Sequence, residues 1–105
     1  MKYISVSTTL TDKNSAKKMA KTLVQERLAA CANIFRIESI YWWEEKIEEG
    51  EEYELVFKTK RCLYPELEER IRELHPYEVP SILSYPIEEG LKNYLDWIDQ
   101  ETRKS

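Results

Sequence analysis

The chain has 105 residues, 34% charged and 42% hydrophobic, which fits one domain with a real core and argues against disorder. Lys+Arg 16 against Asp+Glu 20 leaves a net charge of −4, with both signs interleaved, so no basic footprint for nucleic acid or anionic lipid stands out. Two cysteines exclude a disulfide framework, a lone His75 excludes a multi-histidine zinc site within one chain, and two glycines exclude a glycine-rich phosphate loop.

Tyr3 to Thr9 is β-branched and alternating, and reads as a strand. The same alternation interrupts the apolar run too early for a signal peptide, and no segment approaches the roughly 20 apolar residues of a membrane span. The expected compartment is the cytoplasm. Asp12 is placed to cap a helix whose apolar stripe is Ala16, Met19, Ala20, Leu23, Val24 and Leu28. Lys17, Lys18, Lys21 and Gln25 take its wet face, and its end is expected near Ala29-Ala30.

From Cys31 the chain is too β-branched and aromatic for a helix. It predicts a long strand through Ile34, Phe35, Ile37, Ile40, Tyr41, Trp42 and Trp43. Glu48-Glu49-Gly50-Glu51 reads as the turn, and Tyr53, Leu55 and Phe57 as the inward positions of the return strand. A second helix is expected over 64–74, with Pro65 in its first turn and Leu63, Leu67, Ile71 and Leu74 as its stripe. Glu66–Arg70 and Glu68–Arg72 stand at the i,i+4 spacing of helical ion pairs. His75-Pro76 ends the helix, because the residue before proline avoids the α region. A short edge strand follows over 81–85, then a last helix marked by Leu91, Tyr94, Leu95 and Ile98, and a frayed polar tail from Glu101. The order is β-α-β-β-α-β plus a short C-terminal helix: an α+β, ferredoxin-like plan over residues 1–105 with a long β-hairpin.

The aromatic strand breaks the pattern of a half-solvated sheet. Phe35, Ile37, Tyr41 and Trp43 fall on one face and Ile34, Ile40 and Trp42 on the other. Trp42 and Trp43 therefore cannot both lie beneath the helices. Either a bulge turns both rings inward, or one belongs to the core and the other to a subunit interface. A stacking platform for single-stranded nucleic acid is disfavoured by the acidic charge. Self-association is favoured.

Leu28-Ala29-Ala30-Cys31-Ala32-Asn33, Tyr41-Trp42-Trp43-Glu44, Phe57-Lys58-Thr59-Lys60, His75-Pro76-Tyr77-Glu78-Val79-Pro80 and Tyr94-Leu95-Asp96-Trp97-Ile98 occur in this order. Together they resemble the divalent-cation tolerance family, CutA. The resemblance implies a ferredoxin-like protomer in a homotrimer, a role in the response to metal ions, and binding of divalent copper. It implies no obligatory cofactor and no enzymatic reaction. His75 matches the family's proposed copper ligand. Its alternative role is a helix C-cap. Glu78 stands close enough in sequence to add an oxygen ligand. Ser7 and Leu74 occupy positions where some relatives carry cysteine and histidine, so the implied copper affinity is modest.

Lys58 and Tyr77 are expected near His75 in a cleft between subunits, as site or as ordinary surface. Cys31 sits in an apolar context and reads as a structural thiol, and Cys62 as a bystander. The glutamates of 44–52 read as a solvated hairpin tip that guards an edge. No nucleophile–base pair stands at a readable spacing, so no catalytic residue is assigned. A trimeric small-ligand signal protein of the PII type and a structural trimeric scaffold are the competing functions.

Overall fold

The computed structural model describes residues 2–104. Its elements are β1 (Tyr3–Leu10), α1 (Lys13–Gln25), β2 (Cys31–Trp43), β3 (Lys46–Lys60), a 3₁₀ turn (Arg61–Leu63), α2 (Tyr64–Leu74), β4 (Ile82–Pro86) and α3 (Lys92–Glu101). The four strands form one antiparallel sheet in the order β2-β3-β1-β4. This is the α+β, ferredoxin-like arrangement expected from the element order, with β4 at an edge, where its terminal Pro86 is tolerated.

The core lies between the sheet and the two helices α1 and α2. Ile4, Val6 and Leu10 of β1 and Leu55 and Phe57 of β3 meet Ala16, Met19, Ala20 and Leu23 of α1 and Leu67 and Ile71 of α2. Thr59 joins this layer and donates from Oγ1 to the Leu28 carbonyl at 2.7 Å. Asp12 caps α1 as expected, its Oδ2 accepting from the Ser15 amide at 2.8 Å. α2 spans the expected residues and stops at His75, whose ψ of 134° has left the helical region.

Several local expectations are corrected. α1 stops at Gln25 rather than near Ala30, because Arg27 adopts φ 63°. The Arg27 amide then donates to Val24 and the Leu28 amide to Leu23, which satisfies the last carbonyls and turns Leu28 into the core. The hairpin turn is Glu44-Glu45, with φ of 47° and 65°, and not the segment around Gly50. Trp43 pairs with Lys46 across this two-residue turn, while Gly50 lies within β3 opposite Ser39. A pair of positive φ values is what a two-residue turn between twisted strands requires, and here two glutamates supply it.

The i,i+4 pairs of α2 give way to partners from other elements. Arg70 grips both oxygens of Glu26 at 2.8–3.2 Å, and Glu66 takes Arg103 at 2.9 Å. Glu68 accepts from the Tyr64 hydroxyl at 2.7 Å. The tail is tied down rather than frayed. Thr102 is buried, the Arg103 amide donates to the Arg27 carbonyl, and the Arg103 Nε donates to the Glu26 carbonyl at 2.8 Å. α3 crosses the end of the sheet: the Asp99 carboxylate stands 3.3 Å from buried Lys60 and 3.5 Å from Lys2, and Ile98 is fully buried.

The β2–β3 hairpin outruns the rest of the molecule. β1 accompanies β3 only as far as Leu10↔Tyr53, so the seven pairs from Ile37↔Glu52 to Trp43↔Lys46 form a two-stranded ribbon. At about 3.4 Å per residue this ribbon projects roughly 20 Å, and the long axis of the molecule is 44 Å against 25 and 21 Å. The register from Cys31 to Trp43 is unbroken, so no bulge turns the tryptophans inward. Neither enters the core of its own chain. Trp42 is 72% and Trp43 58% exposed, on opposite faces, because no helix covers either side of the ribbon.

Candidate functional site

His75 sits where the end of α2 meets the end of β1. The proline after it forces extended backbone and turns the ring back onto the sheet. His75 is 7% exposed. Nε2 lies 2.8 Å from the Thr9 carbonyl oxygen, and the Tyr77 amide donates to Nδ1 at 3.2 Å. These partners fix one neutral tautomer, with the proton on Nε2 donated to Thr9 and the lone pair of Nδ1 accepting from Tyr77. Burial pushes the His75 pKa below the usual imidazole value; the Thr9 carbonyl and the Glu52 charge oppose that shift without reversing it.

Tyr77 completes the cluster. Its ring stands edge-on to His75 with centroids 4.5 Å apart, and its hydroxyl donates to Glu52 Oε2 at 3.3 Å. Burial pushes the Tyr77 phenol above its ordinary pKa, and the neighbouring Glu52 carboxylate adds to the rise. Glu52 is itself 9% exposed, at the root of the hairpin ribbon. Its place in the glutamate run of 44–52 predicts a solvated hairpin-tip residue, and the structure instead buries it. Glu-Glu-Tyr carries no signal that separates the one carboxylate on the sheet body from those beyond it. Chain order by itself places only His75, Pro76 and Tyr77 side by side.

The other expected site residues are spread apart. Glu78 is exposed and one residue beyond Tyr77. Lys58 donates from Nζ to Asn33 Oδ1 at 2.7 Å. It pairs in register with Ser5, four residues along β1 from Thr9, so it stands roughly 13 Å along the sheet from the His75 end. Within one chain Lys58 and Tyr77 therefore share no cleft. Ser7 is buried in the sheet between Val56 and Leu83, and Leu74 is half-buried. Cys31 lies 3.7 Å from the Tyr94 hydroxyl at the foot of β2, and Cys62 is exposed in the 3₁₀ turn.

As a metal site this cluster fits only loosely. Among the described residues no group of three or more His, Cys, Asp or Glu side chains converges. His75 has one lone pair, on Nδ1, and it is already engaged by an amide. What the geometry does chemically is hold a buried, neutral imidazole between a carbonyl and an amide, with a phenol and a carboxylate against its edge.

The family model for the CutA1 divalent ion tolerance protein matches residues 4–101. The chain belongs to the CutA1 family. The divalent-cation tolerance protein CutA of Pyrococcus horikoshii is 48% identical over 101 residues, covering 96% of this chain and 99% of its own. A crystal structure of CutA1 from that organism superimposes with a TM-score of 0.93 over 96% of this chain and 99% of that one, at 48% identity. CutA1 from Oryza sativa gives a TM-score of 0.96 at 39% identity, over 100% of this chain and 97% of that one. CutA from Archaeoglobus fulgidus, described as periplasmic, gives 0.92 at 39% identity over 94% and 97% of the two chains. Among the described residues no helix is long and apolar enough to cross a membrane.

Proposed function

We propose that this chain acts in the cytoplasm as a homotrimeric divalent-cation tolerance protein that binds divalent copper with modest affinity and catalyses no reaction. One observation carries the assembly. The ribbon and the adjoining strand leave Phe35, Ile40, Tyr41, Trp42, Trp43 and Ile47 between 44% and 72% exposed on a ribbon that its own chain does not cover. Exposed apolar surface on both faces of an uncovered ribbon marks a contact, with Trp42 on one face and Trp43 on the other. In a trimer, Lys58 of one subunit and Tyr77 of another would face a shared cleft.

The cation part rests on the family and on His75. Copper would take Nδ1 in place of the Tyr77 amide, a long hydrogen bond at 3.2 Å, with Glu78 as the next oxygen donor along the chain. One nitrogen and one exposed carboxylate make a weak site, which is why the affinity is modest. Light scattering after size exclusion at micromolar concentration is expected to give three times 12.6 kDa, and a particle of 12.6 kDa overturns the assembly. Calorimetric titration with copper(II) is expected to show weaker binding in His75→Ala, with the trimer retained. Unchanged affinity in that variant removes His75 from the site.

A further inference from the structure

On the helix side of the sheet, Ile34 shares a rung with Leu55. Leu55 is fully buried, yet Ile34 is 37% exposed. β2 is the edge strand of the sheet, and α1 packs beside its start at Ala32 without closing over Ile34, which leaves a gap. The gap is an open groove of about 670 Å³ between α1 and the start of β2. Ala20 and Val24 form one wall and Ile34 the other, and Trp97 of α3 stands at its foot, its ring 5.4 Å from Tyr94. Lys17 and Lys21, one helical turn apart, stand on the α1 rim.

We propose that this groove binds a small anionic amphiphile: a carboxylate or similar acid carried on an apolar body. Three features point to that class. The walls are apolar while the only charges in the lining are the two ammonium groups, in a chain of net charge −4. Neither lysine is held in an ion pair among the described residues, so both are available to an incoming acid. The size suits a small molecule rather than a protein. Along α1 the groove runs from Lys17 to Gln25, about 12 Å at 1.5 Å per residue. A stable protein partner needs roughly 800 Å² on each side, far more than such a groove offers. The site is distinct from the His75 cluster and does not rest on the copper reading.

The test is calorimetric titration of the full chain with decanoate below its micelle-forming concentration, beside decylammonium and acetate. Saturable binding of decanoate is expected, with none for acetate, which lacks the apolar body, and none for decylammonium, which the lysines repel. Lys17→Glu with Lys21→Glu should weaken decanoate about tenfold or more, since two attractive contacts become repulsive. Ile34→Glu should abolish binding, and the milder Lys17→Gln with Lys21→Gln covers the case in which the reversal disturbs α1. Melting curves show which variants keep the fold. Three results overturn the proposal: no saturable decanoate binding to the wild type, which is also what a second copy seated on the groove would give; equal affinity of decanoate and decylammonium; or equal affinity of the wild type and a folded lysine variant.

Discussion

Two buried threonines in neighbouring strands test the account of the core. Thr59 and Thr8 are both fully buried, and both face the helices. Thr59 Oγ1 donates to the Leu28 carbonyl at 2.7 Å. Thr8 Oγ1, among the described residues, is the buried side-chain atom with no partner. Valine replaces the hydroxyl with a methyl of similar size, so packing is held nearly constant and the hydrogen bond is isolated. In Thr59→Val the Leu28 carbonyl loses its donor where water cannot reach it. The expected loss is about 1–3 kcal/mol. In Thr8→Val an uncompensated hydroxyl is removed, whose burial costs about 1–3 kcal/mol by mutational measures. Incomplete relaxation around the new methyl reduces the gain, so stabilisation by about 1 kcal/mol is expected. Equilibrium unfolding in guanidinium chloride, at one fixed protein concentration, reads both from the shift in midpoint at constant slope. The same substitution should move the midpoint in opposite directions. Equal losses in both variants would refute the reasoning and show that valine fails on shape at either position.

Glu44 and Glu45, at φ 47° and 65°, hold the turn against a left-handed penalty of roughly 1–2 kcal/mol per residue. Glu44→Asn with Glu45→Gly should therefore raise stability by about 1 kcal/mol in the same denaturation assay, and a loss would contradict the turn assignment. His75 has a folded pKa below its unfolded value of about 6.5, so the unfolded chain binds the proton first. Stability should be intact above that pH and decline as pH falls from about 6.5 through the folded pKa; His75→Gln should flatten this part of the profile, and an unchanged profile would remove His75 as its source. No three-donor metal group converges among the described residues, so excess chelator should leave the melting temperature within about a degree of its starting value, and a large drop would point to a site shared between chains.

Much of the fold was legible because its signals are local. Asp12 three residues before Ser15, Pro65 at the start of α2 and His75-Pro76 at its end each act within one turn, and each does so in the structure. The misreadings share another cause. Gly50 marks the turn in the sequence because glycine enters positive φ without cost, but a cheap residue is not a required one: strand register puts the reversal at two glutamates. Arg27 ended α1 for the same kind of reason, with tertiary burial of Leu28 and Ala29 outweighing the continuation of an apolar stripe. The i,i+4 spacing gives Arg70 a partner, Glu66, on its own helix. Arg70 reaches Glu26 instead, because two parallel contacts to a carboxylate from the packed neighbouring helix outweigh one flexible contact along the same helix. The His75 cluster was half legible. The histidine, the proline and Tyr77 are contiguous, but Thr9 and Glu52 arrive from β1 and β3, and no spacing in the chain encodes that meeting.

The tryptophan pair shows what alternation does and does not say. Period-2 spacing put Trp42 and Trp43 on opposite faces, and they are there. The further step, that one of the two faces must be the core face, assumed that helices cover the sheet along the whole length of β2. They do not. β1 ends at Leu10, opposite Tyr53, and everything beyond Ile37 on β2 extends past the helical layer. A two-stranded ribbon is marginal in water on its own, and one with exposed tryptophan on both faces would be a liability in a free chain. The same 13-residue strand is well suited to a chain whose ribbon is covered on both faces by neighbouring copies. On that argument truncating either tryptophan acts on assembly rather than on the protomer core. Trp42→Ala and Trp43→Ala should each shift the dissociation of the assembly, measured by light scattering on dilution, while the near-ultraviolet signature of the core around Phe57 and Tyr64 persists. A variant that unfolds without first dissociating would show that the ring is part of its own chain's core after all.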